Sequence, residues 1–218
     1  YEIGSGLVGS EMCIRDRLAD HGDGMGSHRM VTKQVSFYEE MTNVPFIIAG
    51  PGIHPRQKPV EDLLTQPTID LLPTLCELAG IPVPSSKPGI SLAPFLKGEK
   101  QKRQHPYAAS EWHSEYEVTV SPGRMIRSPR YKYTHYLEGN GEELYDMLKD
   151  KGERRNLAHD PKYSKILAEH RALLDDYIRR TQDDYRSLKV EADKRWRSHA
   201  PGYPNHEGPC ARDIINRK

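Results

Sequence analysis

A glycine-rich stretch near the start of the chain carries the residues best suited to chemistry. Residues 20–28 read DHGDGMGSH, and Lys33 follows five positions later. Carboxylate oxygens and imidazole nitrogens on such a loop suit a divalent cation, because glycine permits the tight turns that bring adjacent ligands onto one ion. The ammonium group of Lys33 would hold an anion beside that ion. The stretch therefore predicts a cation site that receives an anionic substrate.

The overall composition excludes several classes of function. The chain has 218 residues, with 32 Lys and Arg against 31 Asp and Glu, so its formal net charge is +1. No long basic run is present, which argues against a nucleic-acid partner. No apolar run approaches the ~18 residues of a membrane-spanning helix, so no membrane span is predicted. Cys13, Cys76 and Cys210 form neither a metal cluster nor an even set for disulfides.

The elements that must position this loop follow in the order of an α/β domain. Residues 44–49 form an apolar run that predicts a buried strand, with Pro45 at its start, where a missing donor is tolerated. Residues 65–80 predict a helix, with Gly80 at its C-terminal cap. Its predicted apolar face consists of Ile69, Leu72, Leu75, Cys76 and Ala79. A strand followed by a helix indicates an α/β domain, which we assign to residues 18–103.

A different architecture is predicted after about residue 104. Four strands are indicated, at 106–112, 124–127, 130–137 and 143–146. The third alternates aromatic with polar residues, which is typical of a half-exposed strand, and Asn-Gly at 140–141 predicts the turn before the fourth. Asp-Pro at 160–161 then caps a helix whose apolar face can cover one side of the sheet. Residues 104–181 are therefore predicted to form a small antiparallel sheet packed on a C-terminal helix.

Three further features are predicted to lie outside the site. Residues 1–17 resemble a translated sequencing adapter, and the charges just before Asp20 do not suit a buried strand. We therefore predict that this segment is foreign to the fold, the alternative being a surface strand. Residues 182–218 are predicted to be a charged tail that packs on the surface or is partly disordered. His170 lies on the apolar stripe of the last helix, where a packed histidine is expected rather than a ligand.

Taken in order, these motifs resemble the C-terminal half of a type I sulfatase, a member of the alkaline phosphatase-like superfamily. The matching stretches are 20–23, 26–28, Lys33, 38–40, 44–47, 51–52, 70–75, 78–82, 130–133, 143–146 and 156–157. The resemblance covers roughly residues 18–180. It implies the C-terminal part of an alkaline phosphatase-like α/β domain, followed by the small antiparallel sheet. It also implies a sulfuric ester hydrolase whose substrate is a sulfated glycan.

The resemblance assigns roles to individual residues of the loop. It implies that Asp20 and His21 ligate one calcium ion and that Lys33 binds the sulfate group. His28 matches a position near the substrate in the family, where it either binds substrate or supports the loop. Asp23 is expected to stabilise the loop rather than to bind metal.

The resemblance also implies a nucleophile that this sequence lacks. In the family it is the aldehyde hydrate of formylglycine, made from Cys or Ser in a Cys/Ser-x-Pro/Ala-x-Arg motif. None of the cysteines begins such a motif, and the aspartate pair that completes the family's metal site is absent as well. The chain is therefore expected to be a C-terminal fragment that is inactive by itself. A periplasmic or extracellular location is suggested by the family alone.

Two other functions fit the same residues. A phosphonate or phosphate ester hydrolase of the same superfamily has a similar loop and lysine, and the relative rates on aryl sulfate and aryl phosphate would distinguish it. A non-catalytic carbohydrate- or cation-binding relative would keep the fold without the nucleophile. Trp112, His113 and the tyrosine-rich strand at 131–136 could line its sugar site, although aromatic residues on strands more often belong to a core.

Overall fold

The computed structural model describes most of the chain. The described residues are 14–30, 36–56, 58–60, 63–85, 88–100, 105–112, 122–137 and 141–188. The predictions for Lys33, Asn140, residues 1–13 and the tail beyond residue 188 concern positions that lie outside these described residues. Among the described helices, none combines the length and apolar character needed to cross a membrane.

A short antiparallel sheet leads into the loop at 20–28. Strand β1 (Arg15–Leu18) pairs with β2 (Phe46–Ala49), with Leu18 opposite Phe46. The prediction of a buried strand at 44–49 is wrong in its burial, since Ile47 is 55% exposed. Within the described residues this sheet has two strands. A sheet this small leaves part of its surface exposed. Backbone pairing depends little on side chains, so β1 does not test whether residues 1–17 are foreign.

Among the described residues, α1 (Glu39–Thr42) lies between β1 and β2 in the chain, and α2 (Pro67–Leu78) and α3 (Ala93–Leu96) lie between the first sheet and the second. The α2 helix forms where the sequence predicts it, and Gly80 has the positive φ of a C-terminal cap (70°). The predicted apolar face of α2 is wrong, however, because Leu72 is 47% exposed. The buried side of the helix carries Asp70, Pro73 and Thr74 instead.

Hydrogen bonds explain why α2 turns polar residues inward. The Asp70 carboxylate accepts the backbone N–H of Ile90 at 2.8 Å, and it lies 2.8 Å from His105 Nε2. The Thr74 hydroxyl oxygen accepts the N–H of Leu92 at 2.9 Å. Buried polar groups cost little when they are paired in this way. The partners lie 18 to 35 residues further along the chain, so helical periodicity does not reveal them.

A four-stranded antiparallel sheet forms the C-terminal part, as predicted. Its strands are β3 (Ala108–Trp112), β4 (Gly123–Arg127), β5 (Tyr131–Tyr136) and β6 (Gly141–Asp146), which are neighbours in chain order. The Asp160 side chain accepts the N–H of Lys162 and caps a 3₁₀ turn, after which α4 (Ser164–Thr181) begins. The buried core consists of Tyr107, Ile126, Tyr133, Leu144, Leu157, Leu167 and Leu174. The predicted sheet and covering helix are therefore confirmed.

Both faces of β5 are covered, so the prediction of a half-exposed strand is wrong. Tyr133 faces the core that includes residues of α4, and it is 1% exposed. Lys132 points to the opposite face and is also 1% exposed, because the segment 36–42 lies over that face and the backbone oxygen of Phe37 accepts a hydrogen bond from Lys132 Nζ. The polar residues of the alternating pattern are thus buried by a segment from the α/β part.

His170 is a packed histidine, as its position on the apolar stripe predicts. Its Nδ1 lies 2.8 Å from the Ile166 oxygen and its Nε2 lies 2.9 Å from the Ser128 hydroxyl. A neutral imidazole that is protonated on Nδ1 satisfies both contacts. Burial lowers the pKa of His170, because the charged form loses its hydration.

We expect His170 to make folding stability depend on pH. Its folded pKa lies below the unfolded value, so its favourable contribution is present above about pH 6.5 and is lost as pH falls toward the folded pKa. His170→Gln keeps a donor and an acceptor but does not titrate. Urea unfolding between pH 8 and pH 5 should show a smaller loss of stability for this variant than for the unmodified chain. The exposed His159→Gln serves as the control, and equal pH profiles for all three proteins would contradict the expectation.

Candidate cation and substrate site

The glycine-rich loop packs tightly against α1. The Gly22 N–H donates to the Met41 oxygen at 2.9 Å. A Cβ atom at Gly22 would lie 1.7 Å from the Glu40 oxygen, and one at Gly24 would lie 2.4 Å from the Met30 Cβ. Only glycine permits backbone segments to approach so closely. The two glycines therefore fix the course of the loop that carries Asp20.

Asp20 and His21 present two donor atoms to the same region of solvent. The Asp20 carboxylate accepts the backbone N–H of His21 at 3.0 Å, and Asp20 Oδ2 lies 3.8 Å from His21 Nε2. His21 Nδ1 lies 2.7 Å from the Gly22 oxygen. A carbonyl oxygen only accepts, so we assign the proton to Nδ1, which leaves the Nε2 lone pair on the side of Asp20. The side chains are 90% and 43% exposed.

This geometry fits one shared cation. Two ligands at ~2.3–2.6 Å from a calcium ion can be at most about 5 Å apart, and the 3.8 Å separation of the two donor atoms lies within that limit. A backbone oxygen that holds the second ring nitrogen is the usual support of a metal-binding histidine. Calcium prefers oxygen and takes about six to eight ligands. Asp20 and His21 would therefore supply only part of its coordination shell.

Asp23 bonds within the loop, as expected for a residue that stabilises it. Its Oδ1 accepts the backbone N–H of Met25 at 3.1 Å. Met25 has a positive φ of 45°, which is uncommon for a residue other than glycine. The hydrogen bond therefore helps to hold a backbone conformation that the chain does not favour by itself.

The imidazole of His28 packs on α1. It stacks on the Tyr38 ring, with 3.7 Å between ring centroids and 2° between the planes. Its Nε2 lies 3.9 Å from Glu40 Oε2, and one ligand atom each from His28, Glu40 and Glu153 lie within 4.8 Å of one another. This arrangement supports the loop, and a contact of His28 with substrate remains a prediction.

The acidic groups around His28 do not by themselves make a second metal site. Lys132 Nζ lies 2.9 Å from Glu153 Oε1, the carboxylate oxygen that a cation would otherwise compensate. Burial is the largest influence on Glu153 and raises the pKa of its carboxyl group. Burial also opposes the ionisation of Glu39, but the Lys132 charge and hydrogen bond, together with Arg127 and Asn43, hold the pKa of Glu39 below its usual value. A lysine thus already supplies positive charge here.

The structure brings together some of the predicted site residues and adds others. Asp20 and His21 lie side by side, and His28 lies on α1 next to Glu40. Lys33 lies outside the described residues. Sequence reasoning missed Lys132, which looks like an outward-facing residue in an alternating strand. Its burial could not be recognised from the pattern, because its partners come from distant segments.

Comparisons with known proteins identify relatives over most of the chain. Residues 26–180 match the sequence family described as N-sulphoglucosamine sulphohydrolase, C-terminal. The Delta 4,5-hexuronate-2-O-sulfatase of Bacteroides thetaiotaomicron is 77% identical over 201 residues, which are 92% of this chain and 42% of that protein. The chain thus spans less than half the length of this curated relative.

Solved structures give a matching result. The structure of a 2-O GAG sulfatase superposes with a TM-score of 0.81 and 76% identity, covering 92% of this chain and 43% of the other. A phosphonate monoester hydrolase from Silicibacter pomeroyi superposes with a TM-score of 0.65 and 27% identity, covering 78% of this chain and 35% of the other. The fold predicted from the motifs is therefore confirmed.

Proposed function

The chain belongs to the sulfatase family. We propose that it carries the cation-binding loop of an enzyme that hydrolyses sulfate esters on a glycan. The observation that carries this proposal is the paired arrangement of Asp20 and His21, with an imidazole nitrogen 3.8 Å from a carboxylate oxygen. The relative that is 77% identical is a hexuronate-2-O-sulfatase. We therefore propose a uronic acid sulfated on its 2-hydroxyl group as the substrate.

Each site residue has a defined task in this proposal. Asp20 and His21 would hold calcium, and the Gly22 oxygen keeps the His21 Nε2 lone pair available by accepting a hydrogen bond from Nδ1–H. When bound, calcium supplies positive charge toward the oxygens of the sulfate group. Lys33 contributes a second positive charge to the same oxygens, which stabilises charge as it develops in the transition state. His28, whose ring is held by stacking on Tyr38, would lie at the edge of the region that receives the substrate.

The nucleophile is supplied by sequence outside these 218 residues in this proposal. Members of the sulfatase family generally use calcium and a formylglycine residue. The chain has no Cys or Ser motif that would be converted to formylglycine. It also spans only 42% of its 77%-identical relative. We therefore expect no sulfatase activity from the chain by itself.

A phosphonate ester hydrolase is the second candidate. The phosphonate monoester hydrolase with 27% identity shares the fold of the described residues. Its similarity is much lower than the 77% identity to the hexuronate sulfatase. A phosphonate monoester and a sulfate monoester both carry one negative charge but differ in the central atom and in its substituents, so a direct comparison of the two substrates separates the two functions.

A chimera tests the proposed function. The aligned part of the Bacteroides sulfatase is replaced by residues 18–218 of this chain, and hydrolysis of a 2-O-sulfated unsaturated uronate disaccharide is compared with that of a phenyl phosphonate monoester. We expect a kcat/KM for the sulfate ester at least about 100-fold above that for the phosphonate. The unmodified relative and a chimera without its nucleophile are the controls. Equal or faster phosphonate hydrolysis would contradict the proposal.

A further inference from the structure

We propose that Lys132 is a positioning residue that holds the cation loop in place through α1. It lies on β5 in the C-terminal sheet, 112 positions from Asp20 in the sequence. The inference rests on the proposed cation-binding role of Asp20 and His21. It assigns a function to a buried lysine that does not itself touch substrate or ion.

The first step is the contact between Lys132 and the segment that begins α1. The side chain of Lys132 is 1% exposed, and its Nζ donates to the Phe37 backbone oxygen at 2.8 Å. The same nitrogen lies 2.7 Å from Glu39 Oε1 and 2.9 Å from Glu153 Oε1. A lysine in this position is kept inside the protein by its partners, since an unpaired buried ammonium group is very costly.

Glu153 joins the C-terminal sheet to α1 from a second direction. Its Oε2 accepts the backbone N–H of Glu39 at 2.7 Å, and its side chain is 1% exposed. Glu39 is also approached by Arg127 at 3.6 Å. Lys132 therefore faces the carboxyl groups of Glu39 and Glu153 where the N-terminus of α1 meets the sheet, and Arg127 faces Glu39. These bonds fix both the position and the orientation of the first turn of α1.

The cation loop also packs directly on α1 and on the residue before it. Met41 accepts the N–H of Gly22, the residue after His21, and His28 stacks on Tyr38. A Cβ atom added at Gly22 would lie only 1.7 Å from the Glu40 oxygen. The two backbone segments are therefore in close contact, and we expect a shift of α1 to move the loop with it. Lys132 and the loop thus both contact the short segment that forms α1, a helix of only four residues.

Apolar packing is the competing explanation for the position of the loop. A buried cluster joins the loop, α1 and the sheet: Met30, Tyr38, Met41, Tyr145 and Met147. This packing is not directional, whereas Lys132 and Glu153 form hydrogen bonds with particular backbone atoms: the Phe37 oxygen just before α1 and the Glu39 N–H at its start. The two explanations predict different results when the charges are removed and the apolar cluster is left intact.

The test uses the double variant Lys132→Met with Glu153→Gln in the chimera, which removes one charge of each sign. We expect faster amide hydrogen exchange in residues 20–30 without added metal. Titration calorimetry should show calcium affinity about tenfold weaker, as is typical when groups behind a metal ligand are changed. Saturating calcium should restore kcat to within about twofold, since the catalytic groups themselves are unchanged.

A matched control separates this effect from general destabilisation. Arg124 and Asp183 form another buried pair, with 2.6 Å between Nε and Oδ2, and Arg124 lies over the Tyr185 ring. Arg124→Met with Asp183→Asn should lower the thermal midpoint but leave exchange in residues 20–30 and calcium affinity within about twofold, because additivity holds for independent sites. Equal effects of the two double variants on exchange and affinity would overturn the inference.

The calcium affinities of two variants show whether a failure lies in the role of Lys132 or in the proposed cation site. If Asp20→Asn leaves calcium affinity unchanged, the proposed cation site is wrong. If Asp20→Asn weakens it and the Lys132 double variant does not, only the role of Lys132 is wrong. Should the double variant fail to fold, Glu153→Gln alone retains the Lys132–Glu39 pair and should still speed exchange in residues 20–30. Unchanged exchange in that variant would equally overturn the inference.

Discussion

Replacing Asp20 with asparagine in the chimera should weaken calcium binding on the order of 100-fold, because ligand charge is a main determinant of calcium affinity. The substitution keeps an oxygen that can accept the His21 N–H but removes the negative charge. Activity should fall in parallel at limiting calcium. Treatment with EDTA should abolish the activity of both proteins, and added calcium should restore the unmodified chimera at far lower concentrations.

Asp23→Asn is the matched control for this prediction. It removes one negative charge from the same loop and keeps the oxygen that accepts the Met25 N–H. The calcium affinity of this variant should change by less than about threefold. Asp23 would act on the ion only through its electric field, which solvent weakens in an exposed loop. If the two variants bind calcium equally well, Asp20 is not a ligand.

Replacing Lys33 with alanine should lower kcat/KM for the sulfate ester about 10²–10³-fold, the usual cost of losing one group that stabilises transition-state charge. Calcium affinity should change little, because Lys33 is expected to contact the sulfate and not the ion. Steady-state kinetics at saturating calcium, together with calorimetric titration of calcium, measure the two properties separately.

The exposed Lys149 provides the control for this substitution. Lys149→Ala removes the same charge and the same side-chain length, and we expect kcat/KM to remain within about twofold, as for most surface changes. The thermal midpoints of both variants should match that of the unmodified chimera. Unchanged turnover in Lys33→Ala would contradict the assignment of this lysine to the sulfate group.

Local patterns in the sequence correctly predicted several elements of the fold. The apolar stripe of α4, the cap at Asp160 and the four short runs of the C-terminal sheet all correspond to observed elements. These features depend on residues close together in the chain. The family resemblance is confirmed by the match of residues 26–180. The sequence could predict it because an ordered set of motifs is far more specific than one motif.

The sequence predicted less well which side of each element is buried. Asp70 of α2 is fully buried through bonds to Gln66, Ile90 and His105. Lys132 is buried through bonds to Phe37, Glu39 and Glu153. In both cases a polar side chain points inward because a distant segment satisfies it, and hydrophobic periodicity treats such a residue as exposed. The errors for α2 and β5 therefore share one physical cause.

The sequence by itself determined the composition of the cation loop, the order of its ligands and the glycines that let it turn, since these depend on residue type and spacing. Only the tertiary structure decided how the loop is held. It placed His21 Nε2 on the side of Asp20, packed His28 on Tyr38 and set a buried lysine from the C-terminal sheet beneath α1. The physical reason is that a buried charge requires partners, and the fold draws those of Lys132 from segments as far as 95 residues away.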